Sequence, residues 1–320
     1  MSGRQTSHDR DRRHLLRDLR LYLEQRQEEG WQWYLDAGPV NTGSPLAPKS
    51  RQTRKSTSTE ASPPVGRPHP ERSRPAAPSP AADQQTAGQD DFTRLCETFV
   101  TEALLRLEKS RPEVAQADIF SVPGGEARPL DPAAKLAALA DLAAEVAPCH
   151  LCKLHGGRTQ TVFGVGHTDA DLVFIGEAPG RDEDRLGEPF VGRAGKLLNE
   201  ILKAIGFRRE DVYICNILKC RPPDNRDPER EEVDACEPYL KRQLEIIAPK
   251  VICCLGRVAA QTLLGTRASL TAMRETVHFY EGIPVVVTFH PAALLRNPHW
   301  KRPTWDDVRK LRALHDALQR

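Results

Sequence analysis

The chain has 320 residues, with 46 Lys and Arg against 44 Asp and Glu, and a mean hydropathy of −0.52. A net charge of +2 is too small to imply a nucleic-acid partner without local support. No apolar run reaches the ~18 residues of a membrane span, and the arginine-crowded residues 1–20 lack the apolar core of a secretory signal.

These features predict a cytoplasmic chain with no membrane contact, in which eight cysteines point to metal or redox chemistry before disulfides. Residues 1–36 form the first unit, with a helix predicted over 11–36, where Leu15, Leu19, Tyr22 and Leu23 share a face before Trp31, Trp33 and Tyr34. That face fits docking on its own protein and equally a groove on a protein partner. Residues 37–91 read as a disordered linker, because Pro, Ser, Thr, Ala and Arg leave little apolar surface to offset chain entropy. Between Asn41 and Pro80 seven Lys/Arg stand against two Asp/Glu, a local +5 (7 − 2) that suits weak polyanion binding or plain solvation. A helix and loop follow over 92–130, with Phe92, Leu95, Cys96, Phe99, Ala103 and Leu107 along one helix face.

The third helix starts at Asp131-Pro132, a capping side chain before a proline, and carries Leu136, Leu139, Ala143 and Val146 on one stripe. From Ala170 strands (171–176, 212–217, 250–255, 284–289) alternate with helices (near 194–206, 229–247, 256–264, 290–295, 304–319). This order predicts a three-layer α/β/α domain over 131–320 on a central, mostly parallel, four-stranded sheet. Its strands end at Gly176-Glu177, Asn216, Gly256 and His290-Pro291, and open α/β sheets bind ligands at the carboxyl ends of their strands.

The loop after the first of these strands is the most informative stretch. Gly176-Glu-Ala-Pro-Gly180 and Gly187-Glu-Pro-Phe-Val-Gly-Arg-Ala-Gly195 set backbone amides, carboxylates and a phenyl ring beside one another, where glycine lets the backbone approach a flat ligand closely. It lacks the Lys-Ser/Thr ending of a P-loop, which counts against a nucleotide-phosphate enzyme. Cys149-His-Leu-Cys152 and the pair Cys220/Cys236 suit a four-thiolate metal site. The second pair lacks a tight knuckle, which tilts the reading toward a [4Fe–4S] cluster over zinc. The plain alternative makes Cys220 and Cys236 buried thiols. Cys96, Cys215, Cys253 and Cys254 read as core. Lys219, Arg221, Arg226 and Arg230 read as cations on one exposed, proline-stiffened loop over 219–228.

Together these pieces resemble the iron–sulfur, thermostable-type (family 4) uracil-DNA glycosylases. The resemblance runs from Cys149 to the C-terminus. It rests on Gly176-Glu-Ala-Pro-Gly180 with Glu183-Asp184, Pro189-Phe-Val-Gly192, Asn216-Ile-Leu-Lys-Cys-Arg-Pro-Pro223 with Asn225, His290-Pro-Ala-Ala-Leu-Leu-Arg-Asn297 and the four cysteines. It implies a monofunctional enzyme of base excision repair, a monomer on uracil-containing DNA, with a structural [4Fe–4S] cluster held by Cys149, Cys152, Cys220 and Cys236. Asn216 would read the Watson–Crick edge of flipped-out uracil, Phe190 would stack on it, and the amides of Glu177 and Ala178 would meet O2. His290 would stabilise the departing uracil anion, Glu183 would guard the C5 edge, and Glu183 or Asn225 would hold the water. Arg221, Arg226, Leu295 and Arg296 would meet DNA, with one of Leu294 and Leu295 inward and one at the surface. Better-known relatives place an aspartate where Ala178 stands, so a non-catalytic cluster-bearing DNA-binding module is the alternative. A covalent superfamily variant carries a histidine in the loop that here reads Asp224-Asn-Arg-Asp-Pro228, which predicts turnover.

Overall fold

A computed structural model describes residues 81–114 and 130–319, with side chains placed for 92–109 and 130–319. The helix read at 11–36 and the linker up to residue 80 lie outside the described residues. Helix α1 (Ala81–Val114) begins upstream of the apolar stripe and takes in residues 81–91, which the composition assigned to the linker. Helix α2 (Pro132–Val146) starts as expected, with Asp131 Oδ1 accepting the Ala134 N–H at 2.8 Å. Its buried stripe, however, is Leu139, Leu142 and Val146 with the stem of Lys135, while Leu136 is exposed. The Lys135 ammonium is satisfied at depth by the Ile247 carbonyl and Asp169.

The sheet has six strands, not four, in the order β1-β3-β2-β4-β6-β5. Strands β2 (Leu172–Gly176), β3 (Tyr213–Asn216), β4 (Val251–Leu255) and β6 (Ile283–Thr288) are parallel and almost wholly buried. The added edges, β1 (Val165–Gly166) and β5 (His278–Tyr280), are antiparallel and half-buried. Two or three residues with no continuous apolar run give no usable period, so these edges are invisible to patterning.

Between β2 and β3 lie α3 (Arg181–Leu186) and α4 (Arg193–Ala204). Helix α5 (Arg230–Ile247) links β3 to β4, and α6 (Arg257–Leu263) and α7 (Leu270–Glu275) follow β4. Helices α8 (Pro291–Arg296) and α9 (Lys301–Leu318) close the chain.

Alternation along the strands sorts the core into two layers. Val173, Ile175, Cys215, Ile252, Cys254, Val285 and Val287 face α2, α5 and α6. Phe174, Ile214, Cys253 and Val286 face α4 and α9, together with Cys96, Phe99, Val100 and Ala103 of α1. Helices therefore cover both faces, as a buried parallel sheet requires. The four cysteines read as core are buried in these layers.

Candidate active site and cysteine cluster

The carboxyl ends of β2, β3 and β6 open onto one cavity of about 360 Å³, within the range of small-ligand sites. Glu177, Ala178, Gly180, Glu183, Phe190, Asn216, Asn225, Arg226, His290 and Arg296 all line it. The structure thus brings together every residue expected at the base and the water, with two of the four expected at DNA.

Asn216 ends β3 and is 1% exposed, and its carboxamide oxygen is buried without a hydrogen-bond partner. A buried acceptor left unpaired costs about 1–3 kcal/mol, so its place in a cavity wall suits a ligand's donor. Gly176 makes room for it. A Cβ at 176 would stand 2.3 Å from Asn216 Oδ1 and 2.7 Å from the Phe190 ring.

Phe190 holds φ at 53°, a left-handed backbone that is costly for an aromatic residue, of order 1–3 kcal/mol. Bonds on both sides fix it. Arg209 Nη2 donates to the Pro189 carbonyl at 2.5 Å, and Glu183 Oε1 accepts the N–H groups of Val191 and Gly192, each at 3.0 Å. Gly195 lets α4 begin against the loop, because a Cβ there would fall 1.8 Å from the Phe190 carbonyl oxygen. Glu183 therefore lines the cavity with one oxygen committed to bracing the loop.

His290 caps α8, and its Nδ1 accepts the Ala292 N–H at 3.1 Å. That bond fixes the tautomer: the proton sits on Nε2, which is left as a donor. Burial, with Arg296 adding to it against the pull of Glu183, pushes the imidazole down to about 4, so the ring is neutral near pH 7. Its centroid stands 5.4 Å from that of Phe190.

The Glu177 side chain is a feature that residue types alone miss. Burial, together with the charge of Asp227 and against that of Arg257, raises its carboxyl to about 7. Asp227 and Arg257 pair at 2.9 Å from two further segments, so only the fold reveals the shift. A proline-broken acidic run next to the strand end was its one sequence signal.

The residues expected to meet DNA divide. Leu294 is buried and Leu295 exposed at 44%, as expected of the pair. Arg296 stands exposed at the cavity rim. Arg226 lines the cavity, but Glu232, buried at 1%, takes both its terminal nitrogens at 2.9 and 2.6 Å, so it is no free cation. Arg221 donates to Asn225 Oδ1 at 2.8 Å, and Asn225 is an exposed residue at φ 54°. Lys219 corrects the reading of the 219–228 loop, because it is fully buried.

Cys149, Cys152, Cys220 and Cys236 line one small cavity between the end of α2, the loop after β3 and α5. Hydrogen bonds already reach two of the sulfurs: the Lys219 N–H meets Cys236 Sγ at 3.2 Å and Arg158 Nη1 meets Cys220 Sγ at 3.3 Å. Such donors suit thiolates. Among the described residues no three His, Cys, Asp or Glu side chains stand in metal-holding geometry. The fit to a metal group therefore rests on the donor set and the shared cavity. Burial raises the Cys220 thiol and pushes Cys236 up to about 11, so a metal-free site would hold protons there.

The family model of the uracil DNA glycosylase superfamily matches residues 163–309. A type-4 uracil-DNA glycosylase of Archaeoglobus fulgidus is 49% identical over 181 residues, 54% of this chain and 91% of that one. The chain belongs to the type-4 uracil-DNA glycosylases. A second relative of that description, from Thermotoga maritima, is 47% identical over 172 residues, 52% of this chain and 90% of its own, and one from Sulfurisphaera tokodaii is 45% identical over 179 residues, 53% and 81%. Within the family frame, the matched region contains the whole cavity wall and leaves α1 outside it. Among the described residues no helix is long and apolar enough to cross a membrane.

Proposed function

We propose that the chain hydrolyses the N-glycosidic bond of deoxyuridine flipped out of DNA, releasing uracil and leaving an abasic site. The orphan Asn216 carboxamide beneath Phe190 carries this reading, since it offers an acceptor to uracil N3–H and a donor to O4. Cytosine reverses both groups, at a cost of about 1–3 kcal/mol for each group left unpaired. Phe190 covers the pyrimidine, and the amides of Glu177 and Ala178 meet O2.

Bond cleavage leaves negative charge on uracil and oxocarbenium character on the sugar. The neutral His290 donates from Nε2 to the O2 that gathers this charge, and it needs no proton loss to do so. With Ala178 in place of an aspartate, the water falls to the Glu177 carboxylate, tuned near neutrality, with Asn225 beside it. Glu183 holds the loop that carries the stacking ring.

Cys149, Cys152, Cys220 and Cys236 would hold a [4Fe–4S] cluster, which supplies a cross-link between α2 and α5 rather than chemistry at the base. Arg221, Leu295 and Arg296 meet the DNA, the enzyme acts as a monomer, and residues 131–320 carry the catalytic unit. A uracil-containing oligonucleotide treated with the protein and then alkali tests the reading. Strand cleavage is expected, and intact strands would sink it.

A further inference from the structure

Lys219 is 1% exposed, and among the described residues no carboxylate pairs with it; its titratable neighbours are the thiols of Cys215 and Cys236. A methionine would fill the same space without the cost of desolvating an ammonium. Its three partners show what the nitrogens do there. Nζ donates to the Asn216 carbonyl at 2.8 Å and to Gln243 Oε1, and the backbone N–H donates to Cys236 Sγ at 3.2 Å. Gln243, fully buried in α5, passes the restraint on, donating from Nε2 to the Phe163 carbonyl at 3.0 Å and to Tyr213 Oη at 3.1 Å.

The same short segment also holds the uracil loop. The Ile217 and Leu218 N–H groups donate to the Gly176 and Glu177 carbonyls at 3.0 and 3.1 Å, and the Lys219 carbonyl accepts from Val162 at 2.8 Å. Residues 216–220 are therefore one buried strut. One end carries the base-reading carboxamide, the middle fixes the oxygen-facing loop, and the other end is a cysteine of the cluster.

We propose that Lys219 is a positioning residue that locks this strut, so that occupancy of the cysteine site is felt at the Watson–Crick edge of the base. It rests on the uracil reading above and deepens it. Lys219 touches no substrate. It sets the direction of the Asn216 peptide, and through it the carboxamide, against an anchor that a metal-bound Cys236 makes rigid. A displacement of about 1 Å in such a group is enough to lower a rate about 100-fold.

The test uses Lys219→Met in the full chain, with five readouts: equilibrium dialysis of labelled uracil, kcat, affinity for abasic-site duplex, visible absorbance with iron content, and the thermal midpoint. Uracil binding and kcat should each fall at least about 10-fold, while abasic-site affinity, iron content and the thermal midpoint hold. Wild-type protein stripped of metal should bind uracil as weakly as the variant. Unchanged uracil binding would overturn the proposal. So would a loss shared in proportion by iron content and abasic-site affinity, because that is general destabilisation. Should Lys219→Met fail to fold, Gln243→Leu removes the other end of the lysine's support and must give the same split. A wild-type protein that neither binds nor excises uracil fails the underlying reading instead, which separates the two failures.

Discussion

At the scale of single residues, the orphan oxygen of Asn216 makes the sharpest demand. Asn216→Ala removes both polar contacts to the base edge, and kcat/KM on uracil should fall roughly 10²–10⁴-fold at about 1–3 kcal/mol per contact. An activity within 10-fold of wild type would mean that the base is read elsewhere. Asn216, Phe190 and His290 were legible in the sequence because each ends a strand or sits in a glycine-framed loop. Glu177 was legible only as a backbone donor. Its carboxyl at about 7 depends on burial and on Asp227, fifty residues away in the chain, which no local pattern contains.

That value makes its own prediction. In its proposed role as base it must be ionised, so kcat/KM should rise with pH up to about 7 and then level, and Glu177→Gln should flatten the limb and lose about 10²–10⁴-fold. The linkage has the opposite sense. The carboxyl is raised from 4.5, so the native state holds its proton more tightly, and stability falls as pH rises from 4.5 through about 7. Glu177→Gln should therefore be more stable than wild type at pH 8, by about 1–2 kcal/mol after allowance for partial solvent screening. Denaturant titrations at pH 5 and 8 compare the two. His290 adds no limb in the neutral range, since at about 4 it stays a neutral donor throughout.

At the scale of elements, the strands and helices that build the core announced themselves through buried runs and 3.6-residue stripes. The edges β1 and β5 and the short α3 and α7 did not, because each has six residues or fewer and no buried apolar run to mark it. One of these silent elements supports the site. Arg274 of α7 donates to both Asp307 oxygens at 2.6 and 3.0 Å, and Thr288, the last residue of β6, donates to the same carboxylate at 2.8 Å. Arg274 also lies 4.3 Å over the Phe289 ring, which stacks on Trp300. The strand end that delivers His290 is thus held by a buried ion pair, and burial keeps Asp307 up at about 6 despite its partners. Asp307→Ala leaves the guanidinium uncompensated and should cost about 3–5 kcal/mol. Urea unfolding measures it, and a loss under 1 kcal/mol would show that the pair is replaceable by water.

At the scale of the whole molecule, the α/β/α layering and a crevice at the strand ends followed from the order of the elements, while the extent of α1 did not, and Gly256 at the end of β4, expected at that crevice, does not line it. Its face at Cys96, Phe99, Val100 and Ala103 joins the core beside α9, although composition assigned its first turns to a linker. The same scale governs the cysteines, because Cys149 and Cys236 stand 87 positions apart (236 − 149) and only the fold sets them on one cavity. Bound metal there ties α2 to α5 in the native state alone, so it stabilises by mass action and by closing a long loop. A [4Fe–4S] cluster should show a broad visible absorbance that bleaches on reduction, whereas zinc would leave the protein colourless. Cys152→Ala removes one of the two half-buried cysteines of the proposed ligand set without altering a residue of the 216–220 strut. It should abolish that absorbance and lower the thermal midpoint, and it should weaken excision most steeply as temperature rises. A variant that keeps its colour would remove Cys152 from the ligand set, and one that keeps its midpoint would deny the cluster its role as a clip.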